Sequence, residues 1–366
     1  MKFIHCADIH LDSAFTLSNP GEAGRRRNEL RAAFSSLVLY AKSEDCKLFF
    51  ISGDLFDDKT VTKDTFEMLE REMSSIPSCH FFISPGNHDP YGEKSPYSYI
   101  NMPSNVHIFT SPDMEYFDLP DIGVRVYGYA FTSDTKTDSP LEGFKVENSN
   151  LINILVCHGD VGNALSNYCP IYEADIAASG LDYVALGHIH KGTGLKYAGK
   201  VPYAYPGCTV GRSFDETGDK GAFIGEITKD GVSLSAVRLS SRKYEIASCD
   251  ITGASSISDA SDKIISSCSM FGDNTALRII LEGVTYPEFS YTENEIRGLL
   301  PKPFHVEIKD NTLPLYNVEY LKKDNTIIGE FYRNMEPKLV SENLKEREIA
   351  RLALKYGLKA LYGREI

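Results

Sequence analysis

Residues 47–58 read KLFFISGDLFDD, and this stretch joins two kinds of sequence. Leu48-Phe49-Phe50-Ile51 is a continuous apolar run of strand length, the pattern of a strand buried on both faces. Gly53 then opens a turn that carries Asp54, Asp57 and Asp58. In an open α/β sheet, ligands bind beyond the carboxyl ends of the strands. A buried strand that delivers carboxylates there is therefore one edge of a site.

The same arrangement recurs on both sides of the stretch. MKFIHCADIH (1–10) is an apolar strand ending in Asp8-Ile9-His10. Residues 22–43 place Leu30, Ala33, Phe34, Leu37, Val38 and Ala41 at helical spacing, which predicts an amphipathic helix on the sheet. A second helix is expected over 65–73. A third strand over 78–83 ends in Pro85-Gly86-Asn87-His88-Asp89. This β–α–β–α–β order implies parallel strands with right-handed crossovers.

Further on, 114–119 and 124–131 read as a hairpin across Asp121-Ile122-Gly123, and 132–150 as loop. LINILVC (151–157) ends in His158-Gly159-Asp160. After a short helix near 173–178, LDYVAL (181–186) ends in Gly187-His188-Ile189-His190. Residues 201–205, 222–227 and 232–239 read as antiparallel strands. Beyond 240 the pattern restarts with a helix (257–270), a strand (277–283), a helix (292–300) and a strand (304–309). A helical tail follows, with Leu344, Ala350, Leu354, Leu358 and Leu361 in one stripe.

At 366 residues with 42% hydrophobic content, the chain fits two domains with real cores. No apolar run approaches the length of about 18 residues that a membrane span needs, so a soluble, cytoplasmic protein with no membrane contact is expected. The eight cysteines include no CxxC pair, and Cys6, Cys79 and Cys157 lie in or beside apolar runs, as small hydrophobes do. A net charge of −13 argues against holding nucleic acid on a broad basic surface. It leaves room for an enzyme whose phosphate contacts are made by bound metals.

Five apolar strands thus end in potential ligands: Asp8/His10, Asp54, Asn87/His88, His158 and His188/His190. Carboxylate, imidazole and amide oxygen suit a divalent metal such as manganese, iron or zinc, and the lack of cysteine argues against a structural zinc site. With His88 set aside, the other seven exceed what one ion takes from protein, so two ions sharing a carboxylate is the economical arrangement.

The motifs Asp-x-His, Gly-Asp-x-x-Asp, Gly-Asn-His-Asp, His-Gly and Gly-His-x-His, in that order, resemble the calcineurin-like metallophosphoesterases over roughly residues 1–240. The resemblance implies an α/β fold, a β-sandwich flanked by helices in four αββα layers. It assigns Asp8, His10 and His190 to one metal, Asn87, His158 and His188 to the other, and Asp54 to the bridge. Protein phosphatases of the superfamily carry Gly-Asn-His-Glu, and an Arg-Gly directly after the Asp equivalent to Asp57. This chain has Asp89, and Asp58-Lys59.

ADIHLDSAF (7–15), GDLFD (53–57) and YPGCTVGRSFDETGDKGAF (205–223) are closer to the bacterial SbcD/YhaO-like DNA repair exonucleases. That likeness implies a nuclease domain over 1–240, a smaller α+β capping domain over 241–325 and C-terminal helices over 326–366 that contact a coiled-coil, SMC-like ATPase. It also implies a homodimer, a DNA substrate, and two divalent ions, Mn²⁺ first, with Fe²⁺, Zn²⁺ or Mg²⁺ as alternatives. The expected reaction is phosphodiester hydrolysis by a metal-activated hydroxide. His88 would act as the catalytic residue, Asp57 would fix its tautomer, and Arg212 and Arg25 are candidates for contacting substrate. The competing readings are a small-molecule or cyclic-nucleotide phosphodiesterase and a weakly active metal-bearing scaffold for an ATPase.

Overall fold

The four residues Leu48–Ile51 are fully buried, and their side chains alternate between two apolar layers. Leu48 and Phe50 pack between two sheets, whereas Phe49 and Ile51 pack beneath helices. A strand covered on both faces needs this doubly apolar sequence. The computed structural model describes residues 1–15, 20–57, 60–239, 242–286 and 289–363. The boundary expected at 240/241 and the pair Asp58-Lys59 lie outside the described residues.

The chain forms two compact units, Met1–Lys243 and Tyr244–Ile366. The first unit holds two six-stranded mixed sheets. One contains β1 (Lys2–Cys6), β2 (Leu48–Ile51), β3 (His80–Ile83), β4 (Val106–Ile108), β13 (Gly221–Thr228) and β14 (Gly231–Arg238), in the order 14-13-1-2-3-4. Strands β1 to β4 run parallel, linked through α1 (Pro20–Ser43) and α2 (Lys63–Ser74). The other sheet contains β5 (Glu115–Leu119), β6 (Val124–Gly128), β7 (Ile152–His158), β10 (Tyr183–Gly187), β11 (Lys196–Ala198) and β12 (Val201–Ala204), in the order 11-12-10-7-6-5. A short pair, β8 (Asp160–Val161) and β9 (Pro170–Ile171), follows β7, and α3 (Glu173–Ser179) precedes β10.

Three apolar layers give the expected αββα sandwich. Leu30, Phe34, Leu37 and Leu69 cover the first sheet, and Ile176 of α3 packs with the outer face of the second. Phe3, Phe50, Phe82, Val126, Ile154 and Val156 fill the space between the sheets. Each such fully buried Phe or Val contributes about 1.5–3 kcal/mol. All eight cysteines are buried and free, as the apolar context around Cys6, Cys79 and Cys157 foretold.

One expectation is corrected. The stretches 201–205, 222–227 and 232–239 do not form one antiparallel group. β12 runs parallel to β10 and antiparallel to β11 in the second sheet, while β13 and β14 pair in the first. The burial explains the split: all four residues of β12 are buried and need neighbours on both edges, whereas β14 is half exposed along its length and closes a sheet.

The second unit has a three-stranded sheet of β15 (Lys243–Asp250), β16 (Thr275–Glu282) and β18 (His305–Asp310). With it are α4 (Ile257–Cys268), α5 (Glu293–Leu299) and a short parallel pair, β17 (Val284–Thr285) and β19 (Leu313–Pro314). Helices α6 (Val318–Lys323), α7 (Ile327–Leu339) and α8 (Leu344–Leu361) complete it. Leu354 and Leu358 pack with Leu321 and Tyr332, and buried Lys359 ties α8 to Asp310 at 3.1 Å. Leu344 departs from its expected stripe: it opens α8 and is exposed. No helix among the described residues is long and apolar enough to cross a membrane.

Candidate metal centre

The ends of β1, β2 and β3 meet the ends of β7 and β10, and the strand-end motifs meet with them. Asp8, His10, Asp54 and His158 are buried there to within about one percent. The backbone is strained at this point. Asp8, His10, Asp54 and His188 have φ of 49°, 51°, 50° and 105°, a region that non-glycine residues rarely enter. Such strain persists only where the surroundings over-determine it, and it clusters at functional sites. Two glycines make the approach feasible. A Cβ on Gly53 would stand 2.1 Å from His158 Nδ1, and one on Gly86 would stand 2.2 Å from Asp54 Oδ1.

Asp8, His10, Asp54 and His190 present ligand atoms that all lie within 4.8 Å of one another. Nε2 of His10 is 3.3 Å from Nε2 of His190 and 3.8 Å from Asp54 Oδ2, and His190 Nε2 is 3.7 Å from Asp8 Oδ1. On the other side, His158 Nε2 is 3.0 Å from Asn87 Oδ1 and 3.5 Å from the same Asp54 Oδ2. The His188 ring lies 5.2 Å from that of His158, centroid to centroid. The structure therefore gathers all seven residues that the sequence proposed as ligands, with Asp54 Oδ2 facing imidazoles of both sets.

The donor set fits divalent ions. Donor atoms around one ion with bonds of about 2.1 Å stand roughly 3.0–3.4 Å apart in octahedral or tetrahedral geometry. His190 donates Nδ1–H to Glu216 Oε1 at 2.6 Å, and His10 Nδ1 sits 3.0 Å from Asp57 Oδ1, though off the line of a hydrogen bond. The two Nε2 atoms face one another at 3.3 Å, an arrangement that a cation between them satisfies.

The electrostatics agree. Burial lowers His10 and His188 to about 4, so both imidazoles are neutral at neutral pH, the form a metal ligand needs. Burial, reinforced by Asp54, pushes Asp8 up to about 6. Burial also opposes the charge on Asp54, but His158, His10 and His88 outweigh it and hold its carboxyl below the usual range. At His190 the pull of Glu216 and Asp8 overcomes burial and raises the imidazole.

His88 stands apart. Its side chain is 43% exposed, its backbone N–H donates to Asp54 Oδ1 at 3.0 Å, and its Nδ1 donates to the Asp57 carbonyl oxygen at 3.1 Å. This alters the role foreseen for Asp57. Its carboxylate is 3.9 Å from His88 Nδ1 and engages His10 and Arg212 instead, so the backbone carbonyl orients His88. Arg212, a candidate for contacting substrate, has its guanidinium on Asp57 Oδ1 at 2.5 Å and near Glu216 Oε1 at 3.5 Å. Arg25 lies exposed on α1, while its neighbour Arg26 is buried and donates to the Gly211 carbonyl.

Sequence reasoning missed Glu216 and the work of Asp89. Buried Asp89 accepts from Gly86 N, Phe56 N and the Tyr97 hydroxyl, pinning the Asn87-His88 turn to the loop that follows Asp54. Burial and the neighbouring Asp54 raise it to about 6. The only sequence signal was position: Asp89 closes a motif, and Glu216 lies four residues beyond Arg212.

A two-sheet sandwich whose strand ends collect carboxylates, imidazoles and an amide defines a metal-dependent phosphoesterase, and the chain belongs to the calcineurin-like phosphoesterase family, whose model matches residues 1–192. Among individual relatives, it is 29% identical over 302 residues to the uncharacterized metallophosphoesterase YhaO of Bacillus subtilis, covering 79% of this chain and 73% of that one. It is 24% identical over 299 residues to the DNA double-strand break repair protein Mre11 of Saccharolobus solfataricus (77% and 75%). A probable cyclic nucleotide phosphodiesterase of Coxiella burnetii is 25% identical over 210 residues (54% and 79%).

Proposed function

We propose that this chain is a metal-dependent DNA exonuclease, with endonuclease activity at the same site, working beside a coiled-coil ATPase. The observation that carries the two-metal reading is Asp54 Oδ2, which faces His10 on one side and His158 on the other. Asp8, His10 and His190 would hold one ion and Asn87, His158 and His188 the second, with Asp54 shared. Ions held there, Mn²⁺ foremost, supply Lewis acidity at the scissile phosphodiester and lower the pKa of bound water.

The protein's own groups do the rest. Asp54 is kept ionised by its imidazole neighbours. Asp89 fixes the turn that aims Asn87 inward and His88 outward. Because Nδ1 of His88 donates to the Asp57 carbonyl, Nε2 is left at the exposed edge, where it can hold or pass a proton at the leaving oxygen. General acid help of this kind is worth typically about 10²–10⁴-fold.

DNA is favoured over a small diester by extent. The alignment with Mre11 covers 77% of this chain, more than the first unit alone provides, and a small diester has no need of a second unit. The alignment with the phosphodiesterase covers 54% and keeps that reading as the alternative. The convergence of all seven candidate ligands disfavours a weakly active metal-bearing scaffold. Exposed Ile327, Ile349, Leu352 and Tyr356 on α7 and α8 support an ATPase-docking role for the tail. The test is Mn²⁺-dependent digestion of end-labelled duplex and single-stranded DNA beside a cyclic-nucleotide assay. Degradation of DNA from its ends is expected; activity on the cyclic nucleotide alone would sink the nuclease reading.

A further inference from the structure

The two ligand sets are backed differently. Behind His10 and His190 stand carboxylates: Asp57 Oδ1 at 3.0 Å from His10 Nδ1, and Glu216 Oε1 at 2.6 Å from His190 Nδ1. Among the described residues, His158 Nδ1 meets a backbone carbonyl, Ser52 O, at 3.0 Å, and Asp160 acts on His188 through charge without a hydrogen bond to its ring. Arg212 joins the two carboxylates. Its Nη1 meets Asp57 Oδ1, its Nη2 lies near Glu216 Oε1, and its backbone N–H donates to Glu216 Oε2 at 2.6 Å. Buried Arg26 holds the loop that carries Arg212 by donating to the carbonyl of Gly211, at 2.6 Å.

We propose that Glu216, Arg212 and Asp57 form a positioning clamp that makes the Asp8/His10/His190 position the tighter of the two metal positions, so that the ions load in a fixed order. The proposal rests on the two-metal reading and deepens it. A carboxylate partner fixes the imidazole tautomer and makes Nε2 a stronger donor than a carbonyl partner does; losing such a partner typically costs about 10–100-fold in metal affinity. Direct charge acts in the same direction. The first position has Asp8 and Asp54, whereas the second has Asp54 and the neutral amide of Asn87. Arg212 bridges Asp57 and Glu216 and offsets their mutual repulsion; Glu216 is hydrogen-bonded to His190, whereas Asp57 faces His10 Nδ1 at 3.0 Å through charge. The three are positioning residues, acting on the ions through His10 and His190.

Titration of the metal-free full chain with Mn²⁺, followed by the electron paramagnetic resonance of the free ion and without DNA, reads this directly. Two classes of site are expected. Glu216→Ala should weaken the tight class about 10–100-fold and leave the weak class unchanged. Glu216→Gln, whose amide oxygen still accepts from His190, should recover part of that loss, and Arg212→Met should shift the same class. Thermal melting of the metal-free variants checks that each is folded; should Glu216→Ala fail to fold, Glu216→Gln and Arg212→Lys carry the comparison. A single class in the natural protein, or variants that move only the weak class, would overturn the clamp. So would an Arg212→Met variant with unchanged Mn²⁺ binding and a raised KM for DNA, because it would place Arg212 at the substrate. No Mn²⁺ binding at all would instead overturn the two-metal reading beneath it.

Discussion

The two units satisfy their polar groups in opposite ways. Among the described residues of the second unit, all five helices begin with a side chain that accepts from the first turn: Ser256, Thr292, Asn317, Thr326 and Asn343. Those starting α4 and α5 form full capping boxes with Asp259 and Glu295. In the first unit, α2 and α3 start without any such bond, and the polar residues that matter sit at strand ends, buried against one another on strained backbone. The lesson is a division of labour. Local hydrogen bonds cap the helices of the second unit, whereas the first buries carboxylates and imidazoles against one another at its strand ends.

Substitutions in the two units should therefore separate activity from stability. The largest expected effect is on rate. His88→Ala should lower turnover on a phosphodiester about 10²–10⁴-fold while both metals remain bound. Metal loss in that variant would instead make His88 a ligand or a support for one.

Next comes the metal-free stability of the first unit. Folding raises the Asp8 carboxyl to about 6, so Asp8 opposes folding at pH values above that and ceases to oppose it as pH falls towards its ordinary value. In chelator at pH 8, Asp8→Asn should raise the melting temperature, by an amount equivalent to about 1–3 kcal/mol, and the gain should shrink by pH 5. A variant no more stable than the natural protein at pH 8 would show that burial of this carboxylate is not costly.

The smallest effect belongs to the second unit. Thr292→Ala removes one capping box and should cost about 0.5–2 kcal/mol in denaturant unfolding, with metal binding untouched. A loss of metal affinity there would blur the contrast between the units.

How much of this was legible in the sequence follows from the range of each interaction. The buried strand at 48–51, helix α1 and the seven strand-end residues that converge at the site were all readable, because apolar runs, helical periodicity and the turn residues behind them are local signals. The four-residue β12 was readable as a strand but not as a member of the second sheet, since pairing partners leave no mark on so short a run. The backing of the ligands was hidden for the same reason. Glu216 reaches His190 across 26 positions and Arg212 reaches Asp57 across 155, with no periodicity to announce either contact. Asp57 was expected beside His88, but only the fold shows that its carboxylate lies nearer His10.

The central claim is that Asp54 is shared by two ions, and the metal content of the purified chain tests it. Native mass spectrometry with Mn²⁺ should find two ions per natural chain and show both positions weakened together in Asp54→Asn. One ion per natural chain, or an Asp54→Asn variant that loses a single ion and keeps the other at full affinity, would contradict a bridging role.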